Sequence, residues 1–309
     1  MERINQFENA KPFLKWAGGK TQLIPSIGQS LPNKLKEMKD LTYIEPFIGS
    51  GAIFFWFLRT FPNVKKAIIN DINPDLAKAF ETIRNNPHEL ISCLTATQKK
   101  YYSFKTVEEK KEYFLEQRKI FNSRKLDPIK NTCLLIFLNR TCFNGLYRVN
   151  SKNEFNVPFG KNLNPRICDQ ETILADSKLL QKVIILNGDF EETLKYATKN
   201  TFFYLDPPYK PISATSSFTS YAKDNFNDKE QIRLKDFCAK LNNKGYYWLL
   251  SNSDVKNIDI TNNFFDDLYS DYIIERVKAK RFINSVASKR GHIFELLISN
   301  YEKEFTLSN

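Results

Sequence analysis

Residues 42–71 restrict the fold more than any other stretch of this chain. Thr42-Tyr43-Ile44-Glu45 reads as a short strand, Pro46-Phe47-Ile48-Gly49-Ser50-Gly51 as a glycine turn, and Ala52 to Phe61 as an apolar helix. Lys66-Ala67-Ile68-Ile69-Asn70 is a second strand, with Asp71 at its end. Strand, glycine turn, helix and strand with a terminal acid make the opening βαβ unit of a doubly wound α/β sheet. Glycines let a ligand approach the backbone, the helix N-terminus behind them is partially positive, and Asp71 is placed to bond a ribose hydroxyl. Taken alone, these residues leave a nucleoside-containing cofactor and a structural turn both open. The third glycine of the dinucleotide fingerprint is missing, since positions 52–54 are Ala, Ile and Phe, and that counts against NAD.

The texture changes after Asp71. From about Asn73 to Asn131 the pattern is helical, polar and rich in Lys and Glu, with ten basic residues against five acidic ones in 98–130. A loop of Asn, Gly and aromatic residues follows, from Asn139 to about Pro165. Within it, Arg148-Val149-Asn150 and Glu154 to Phe159, split by Ser151-Lys152-Asn153, predict a β-hairpin. The α/β pattern resumes at Val183. The strand Thr201 to Leu205 ends at Asp206, a helix covers about Lys229 to Asn242, and Tyr246 to Ser251 is a further strand. Tyr272 to Tyr301 reads as two strands around a basic loop. The economical reading is one α/β sheet domain, residues 1–74 and 169–309, interrupted by an insertion at 75–168.

Asp206-Pro207-Pro208-Tyr209 is the most specific motif. It stands at the C-terminal end of an apolar strand, where open α/β sheets bind ligands. Two prolines fix φ and donate no backbone hydrogen bond, so the loop is rigid and its carbonyls are left as acceptors. A carboxylate beside a proline carbonyl can accept both hydrogens of an exocyclic amino group, and Tyr209 offers a face for stacking a base. Lys15-Trp16-Ala17-Gly18-Gly19-Lys20 adds an aromatic face, a permissive turn and a cation, which also suit a loop capping a helix.

The formal net charge of +11 favours an anionic partner, with nucleic acid the commonest. Asn139 to Arg148 mixes amides, arginines and aromatics, the side chains that read or replace bases. Between 276 and 290 there are six basic residues and no acid, which suits phosphate contacts as well as a charge-protected strand edge. The five cysteines (Cys93, Cys133, Cys142, Cys168, Cys238) form no C-x-x-C pair, and there are two histidines. A disulfide framework and a metal site are therefore not expected. No signal-peptide core or membrane-length apolar run is read, so a cytoplasmic protein is expected.

Taken in order, K-W-A-G-G-K, E-P-F-x-G-S-G, N-D-I-N, F-N-G-L-Y-R, F-N-V-P-F-G, G-D-F and D-P-P-Y resemble the Dam family of DNA adenine-N6 methyltransferases, over Pro12 to Tyr301. That class includes GATC-specific modification enzymes. The resemblance implies a Rossmann-like S-adenosylmethionine-dependent catalytic sheet, with 75–168 as a mainly helical target recognition domain carrying the hairpin. It implies that Trp16, Lys20, Asp71 and Asp206 contact S-adenosylmethionine, that Phe47, Gly49 and Gly51 line its pocket, and that Asp189 and Phe190 lie near its adenine. Asp206, Pro207, Pro208 and Tyr209 would hold a flipped target adenine in double-stranded DNA. Arg148 would read guanine, with Phe143 and Asn144 near the opened base pair. Arg140, Lys161, Lys280, Arg281, Lys289 and Arg290 complete the expected DNA contacts. Phe143 stands where some relatives have Tyr, and Lys161-Asn162 follows P-F-G where relatives differ. A monomer or weak dimer is the expected state, with a restriction endonuclease for the same site among the expected partners. Alternatives on the same motifs are cytosine-N4 methylation, since D-P-P-Y-type loops serve that chemistry too, and a non-catalytic DNA-binding protein on the same fold.

Overall fold

The computed structural model describes residues 9–16, 20–209, 226–280 and 292–302. Its strands form a mixed seven-stranded sheet with flanking helices, the α/β class expected from the βαβ signal. The chain runs α1 (Ile24–Ser30), β1 (Leu41–Glu45), α2 (Ala52–Thr60) and β2 (Val64–Asn70). Four helices follow: α3 (Pro74–Asn85), α4 (Pro87–Ser103), α5 (Val107–Asn122) and α6 (Pro128–Thr141). Then come α7 (Gln170–Leu180), β3 (Val183–Leu186), β4 (Thr201–Leu205), α8 (Asp228–Asn243) and β5 (Tyr247–Ser253). The short α9 (Phe264–Leu268) precedes β6 (Ile273–Lys280) and β7 (His292–Ser299).

Two compact units divide the chain. One takes Met1–Gly19, Ile48–Pro62 and Asn70–Gly188, the other Lys20–Phe47, Asn63–Ile69 and Asp189–Asn309. In the second unit the strands run in the order β2-β1-β4-β5-β7-β6. The first four are parallel, and β7 is antiparallel to both β5 and β6. Every residue of β1 and of β4 is buried, which is why Leu41–Glu45 and Thr201–Leu205 read as runs with little alternation. The pairing of Ile44 with Phe203 sets the C-terminal ends of β1 and β4 side by side. From β1 the sheet continues to β2 on one side and β4 on the other, the reversal that marks the ligand crevice of open α/β sheets. Asp206 follows β4 at that end, and Pro46-Phe47 follows β1.

The first unit is mainly helical, and its helices start where the sequence supplies caps. The Asn73 side chain accepts from the Asp75 N–H at 3.0 Å, with Pro74 opening α3. Thr106 and Glu109 form a reciprocal capping box for α5. Each such cap contributes about 1 kcal/mol. Helix α6 is buried from Asn131 to Asn139 and packs against α3, α4 and α5, so the apolar run Thr132 to Leu138 is the central helix of this unit.

The hairpin expected over 148–159 is present as a turn with little ladder. Val149 and Phe155 form an isolated antiparallel bridge, and the turn is closed by Asn150 N–H to the Glu154 carbonyl at 2.9 Å. The Asn150 side chain accepts from the Lys152 and Glu154 N–H groups, and Asn153 takes a left-handed φ of 59°. On the edge turned away from that bridge, side chains of α5 take the outward-facing backbone groups. Asn122 bonds both the N–H and the carbonyl of Phe155, at 2.7 and 3.0 Å, and Arg118 reaches the Val157 carbonyl at 3.3 Å. Among the described residues no helix is long and apolar enough to cross a membrane.

Candidate active site

In the mainly helical unit, Gly49 and Gly51 both take positive φ, 50° and 78°, and Gly51 stands at the N-cap of α2. The two differ in surroundings. A Cβ on Gly49 would lie 3.3 Å from the Trp16 indole, whereas one on Gly51 would meet the rings of Phe55 and Phe80. Gly49 therefore faces Trp16, and Gly51 faces the apolar interior behind the turn. The Asp71 carboxylate accepts one backbone N–H on each oxygen, Gly49 at 3.0 Å and Asn73 at 2.9 Å. Burial pushes its pKa up to about 6, against the lowering effect of those two donors. Trp16, Gly49 and Asp71 are thus brought together.

Four residues that the sequence reading did not single out, Tyr147, Asp75, Arg124 and Asn131, support this group. The Tyr147 ring stacks on Trp16 with centroids 5.3 Å apart and planes 22° apart. The Tyr147 hydroxyl donates to Asp75 at 2.7 Å, and Asp75 also receives Arg124 at 2.6 Å and Asn131 at 3.3 Å. Arg124 then donates to the Asn153 carbonyl in the turn. One charged network thereby links the indole to the hairpin. Its only sequence trace was Tyr147 inside F-N-G-L-Y-R and Asp75 just after N-D-I-N.

The sheet unit holds the other expected residues. Lys20 is 4% exposed, and its Nζ lies 2.8 Å from Asp206 Oδ1. Ser251 near the end of β5 donates to the same oxygen at 3.1 Å. Burial raises the Asp206 pKa, while Lys20 and then Ser251 pull it down. The same Lys20 Nζ contacts the Tyr209 hydroxyl and lies 4.0 Å from the centre of the Tyr209 ring. Tyr209 in turn donates to Glu295. The Pro208 carbonyl accepts from Gln231 at 3.3 Å, and Gln231 is held by Asn252 at 3.2 Å. This braces the D-P-P-Y loop from α8 and β5. Phe47 and Phe190 pack at 5.3 Å with Phe226 beside both. Arg233 pairs with Asp189 and lies 4.4 Å from the Phe190 ring centre.

The residues expected at DNA are placed differently from one another. Phe143 is 52% exposed, and Asn144, also exposed, adopts φ 54° on the short turn Phe143–Gly145. Lys161 is exposed, with φ 57°. Arg148 donates to the Asn156 side chain at 2.7 Å, which holds its guanidinium against the hairpin. Arg140 is turned inward instead: it donates to the Phe13 carbonyl at 2.8 Å, and burial lowers its pKa. Lys280 closes β6. Arg281, Lys289, Arg290 and Ala17-Gly18-Gly19 lie outside the described residues.

Comparison with known proteins gives this arrangement a family. The chain is 48% identical over 294 residues to a type II methyltransferase, M.MjaIII, of Methanocaldococcus jannaschii, covering 94% of this chain and 99% of that one. It is 39% identical over 298 residues to the type II methyltransferase M1.LlaDCHI of Lactococcus lactis subsp. cremoris, covering 95% and 96%. To the DNA adenine methylase of Haemophilus influenzae it is 34% identical over 288 residues, covering 93% and 92%. Residues 16–283 match the family described as D12 class N6 adenine-specific DNA methyltransferase, and this chain belongs to that family.

Proposed function

We propose that this adenine-N6 DNA methyltransferase uses S-adenosylmethionine as its methyl donor and modifies the adenine of GATC in duplex DNA. The observation that carries the reading is the Lys20–Asp206 pair at the C-terminal end of β4, inside an intact D-P-P-Y loop. The residues present suit the cofactor chemically. Asp71 offers carboxylate oxygens for ribose hydroxyls, Gly49 lets a ligand reach the backbone beside the Trp16 ring, and Phe47 and Phe190 offer ring faces in the unit that holds Asp189. Lys20 has three donors and can meet a carboxylate while still serving Asp206. When bound, S-adenosylmethionine supplies an electrophilic methyl group.

The chain's own residues do the rest. Asp206 and the Pro207 carbonyl accept the two amino hydrogens of an extruded adenine and fix the direction of its nitrogen lone pair. The Asp206 charge stabilises the positive charge that develops on that nitrogen, so it acts as an orienting carboxylate rather than a strong base. Tyr209 stacks on the base. In the unit rich in helices, residues 75–168 serve as the target recognition domain. There Arg148 reads guanine, Phe143 and Asn144 occupy the opened pair, and Lys161, Lys280, Arg281, Lys289 and Arg290 meet phosphates. Two relatives carry type II names, and a restriction endonuclease acting on the same site is the proposed counterpart of a monomeric or weakly dimeric enzyme.

The experiment is to methylate plasmid DNA with labelled cofactor, digest it to nucleosides, and map the modified positions by sequencing. Label in N6-methyladenine at GATC is the expected result. Label in N4-methylcytosine, or at adenines outside GATC, overturns the reaction or the site respectively.

A further inference from the structure

Glu295 is a buried acid that no step above uses. It interrupts the apolar run Ile293-Phe294-Glu295-Leu296-Leu297 of β7, pairs in register with Ser253 of β5 and Val277 of β6, and is 7% exposed. A carboxylate in the middle of a sheet is costly unless something charged or donating meets it. Here the partner is Tyr209, whose phenol donates to Glu295 Oε2. The same phenolic oxygen is met by Lys20, and Lys20 reaches Asp206. Asp206, Lys20, Tyr209 and Glu295 therefore form one chain in which a single cation lies between two carboxylates. Burial pushes the Glu295 carboxyl up, while Lys20 and the Tyr209 donor pull it down.

The consequence falls on the Tyr209 ring. A phenol that is contacted by Lys20 on one side and donates to Glu295 on the other has its hydroxyl held at two points, and the ring plane follows. Lys20 also approaches the ring from its hydroxyl end, 4.0 Å from its centre. We propose that Glu295 is a positioning residue of the methyl-transfer site, holding the Tyr209 ring through its phenol so that a ring face stacks the target adenine. A charge-assisted bond to a carboxylate fixes the phenol more firmly than a neutral acceptor does. This inference rests on the reading of Tyr209 as the stacking residue.

The test uses the full chain as E295Q, Y209F and the double variant. Turnover is measured on a GATC duplex, and base extrusion by the fluorescence of 2-aminopurine at the target adenine. E295Q should lower kcat by about tenfold and reduce the fluorescence rise, as loss of one charge-assisted bond implies. Its KM for S-adenosylmethionine should stay within about twofold, since the residue acts on the base-stacking ring. In the Y209F background, E295Q should have no further effect, because the bond it changes is already gone. Wild-type turnover in E295Q, or an equal loss in both backgrounds, overturns the proposal. A second readout is independent of turnover: fluorine resonances of the protein labelled with 3-fluorotyrosine. The resonance absent from Y209F should move in E295Q while the others hold, and an unmoved resonance overturns the proposal. A wild-type protein that labels no DNA would sink the proposed function alone, with the fluorine shift still deciding whether Glu295 holds Tyr209.

Discussion

Asp206 and Asp71 show how two carboxylates that burial pushes the same way are countered by different partners. Burial raises both, but Asp206 has a buried lysine against it and Asp71 has two backbone N–H groups. The proposed chemistry needs Asp206 ionised, so the acid limb of kcat/KM should reflect its titration. Lowering the pH protonates the carboxylate, and turnover is lost on that side. Lys20 holds the Asp206 pKa down, so K20M should move the acid limb to higher pH, on top of any general loss of activity. A pH–rate profile of the two proteins checks this, and a limb that stays in place or moves to lower pH contradicts it. At this scale the D-P-P-Y loop, the glycine turn and Asp71 were legible because each is a short motif with a mechanical reason. Glu295 was visible only as a lone acid in an apolar strand, and what it meets is set by β7 pairing with β5 in the second unit, which local pattern does not specify.

At the level of elements, strands β1, β4 and β5 and helices α2 and α8 fall within a residue or two of the sequence reading, because fully buried parallel strands and amphipathic helices leave strong periodic signals. The hairpin was legible as a turn and not as a ladder. Asn122 and Arg118 on α5 hold the outward-facing backbone of its second arm, and such side-chain partners have no period. Gly160 offers the sharpest test of how this element is built. The Gly160 N–H bonds the Thr141 carbonyl at 2.9 Å, and a Cβ there would lie 2.3 Å from the Cys142 carbonyl oxygen. Backbone cannot give way as a flexible side chain does, so G160A should cost about 1–3 kcal/mol. Thermal unfolding followed by circular dichroism should then show Tm lowered by several degrees. An unchanged Tm would mean that the loop around Phe143 is not held by this contact.

For the whole molecule, the net charge of +11 is the property that local motifs do not explain. If it serves DNA, affinity for a GATC duplex should fall with salt with a log–log slope of several units, as release of several counterions requires. Fluorescence anisotropy across a salt series reads that slope, and a flat response would remove the phosphate-binding role assigned to the basic residues. The F143A variant should weaken binding without changing the slope, since Phe143 carries no charge. The central claim, that Asp206 at the end of β4 orients the adenine amino group, is tested most directly by incubating wild-type protein and D206A with labelled S-adenosylmethionine and a GATC duplex. Wild-type protein should place the label in N6-methyladenine, while D206A still binds the duplex and incorporates less than about 1% as much. Near-normal incorporation by D206A would contradict the account.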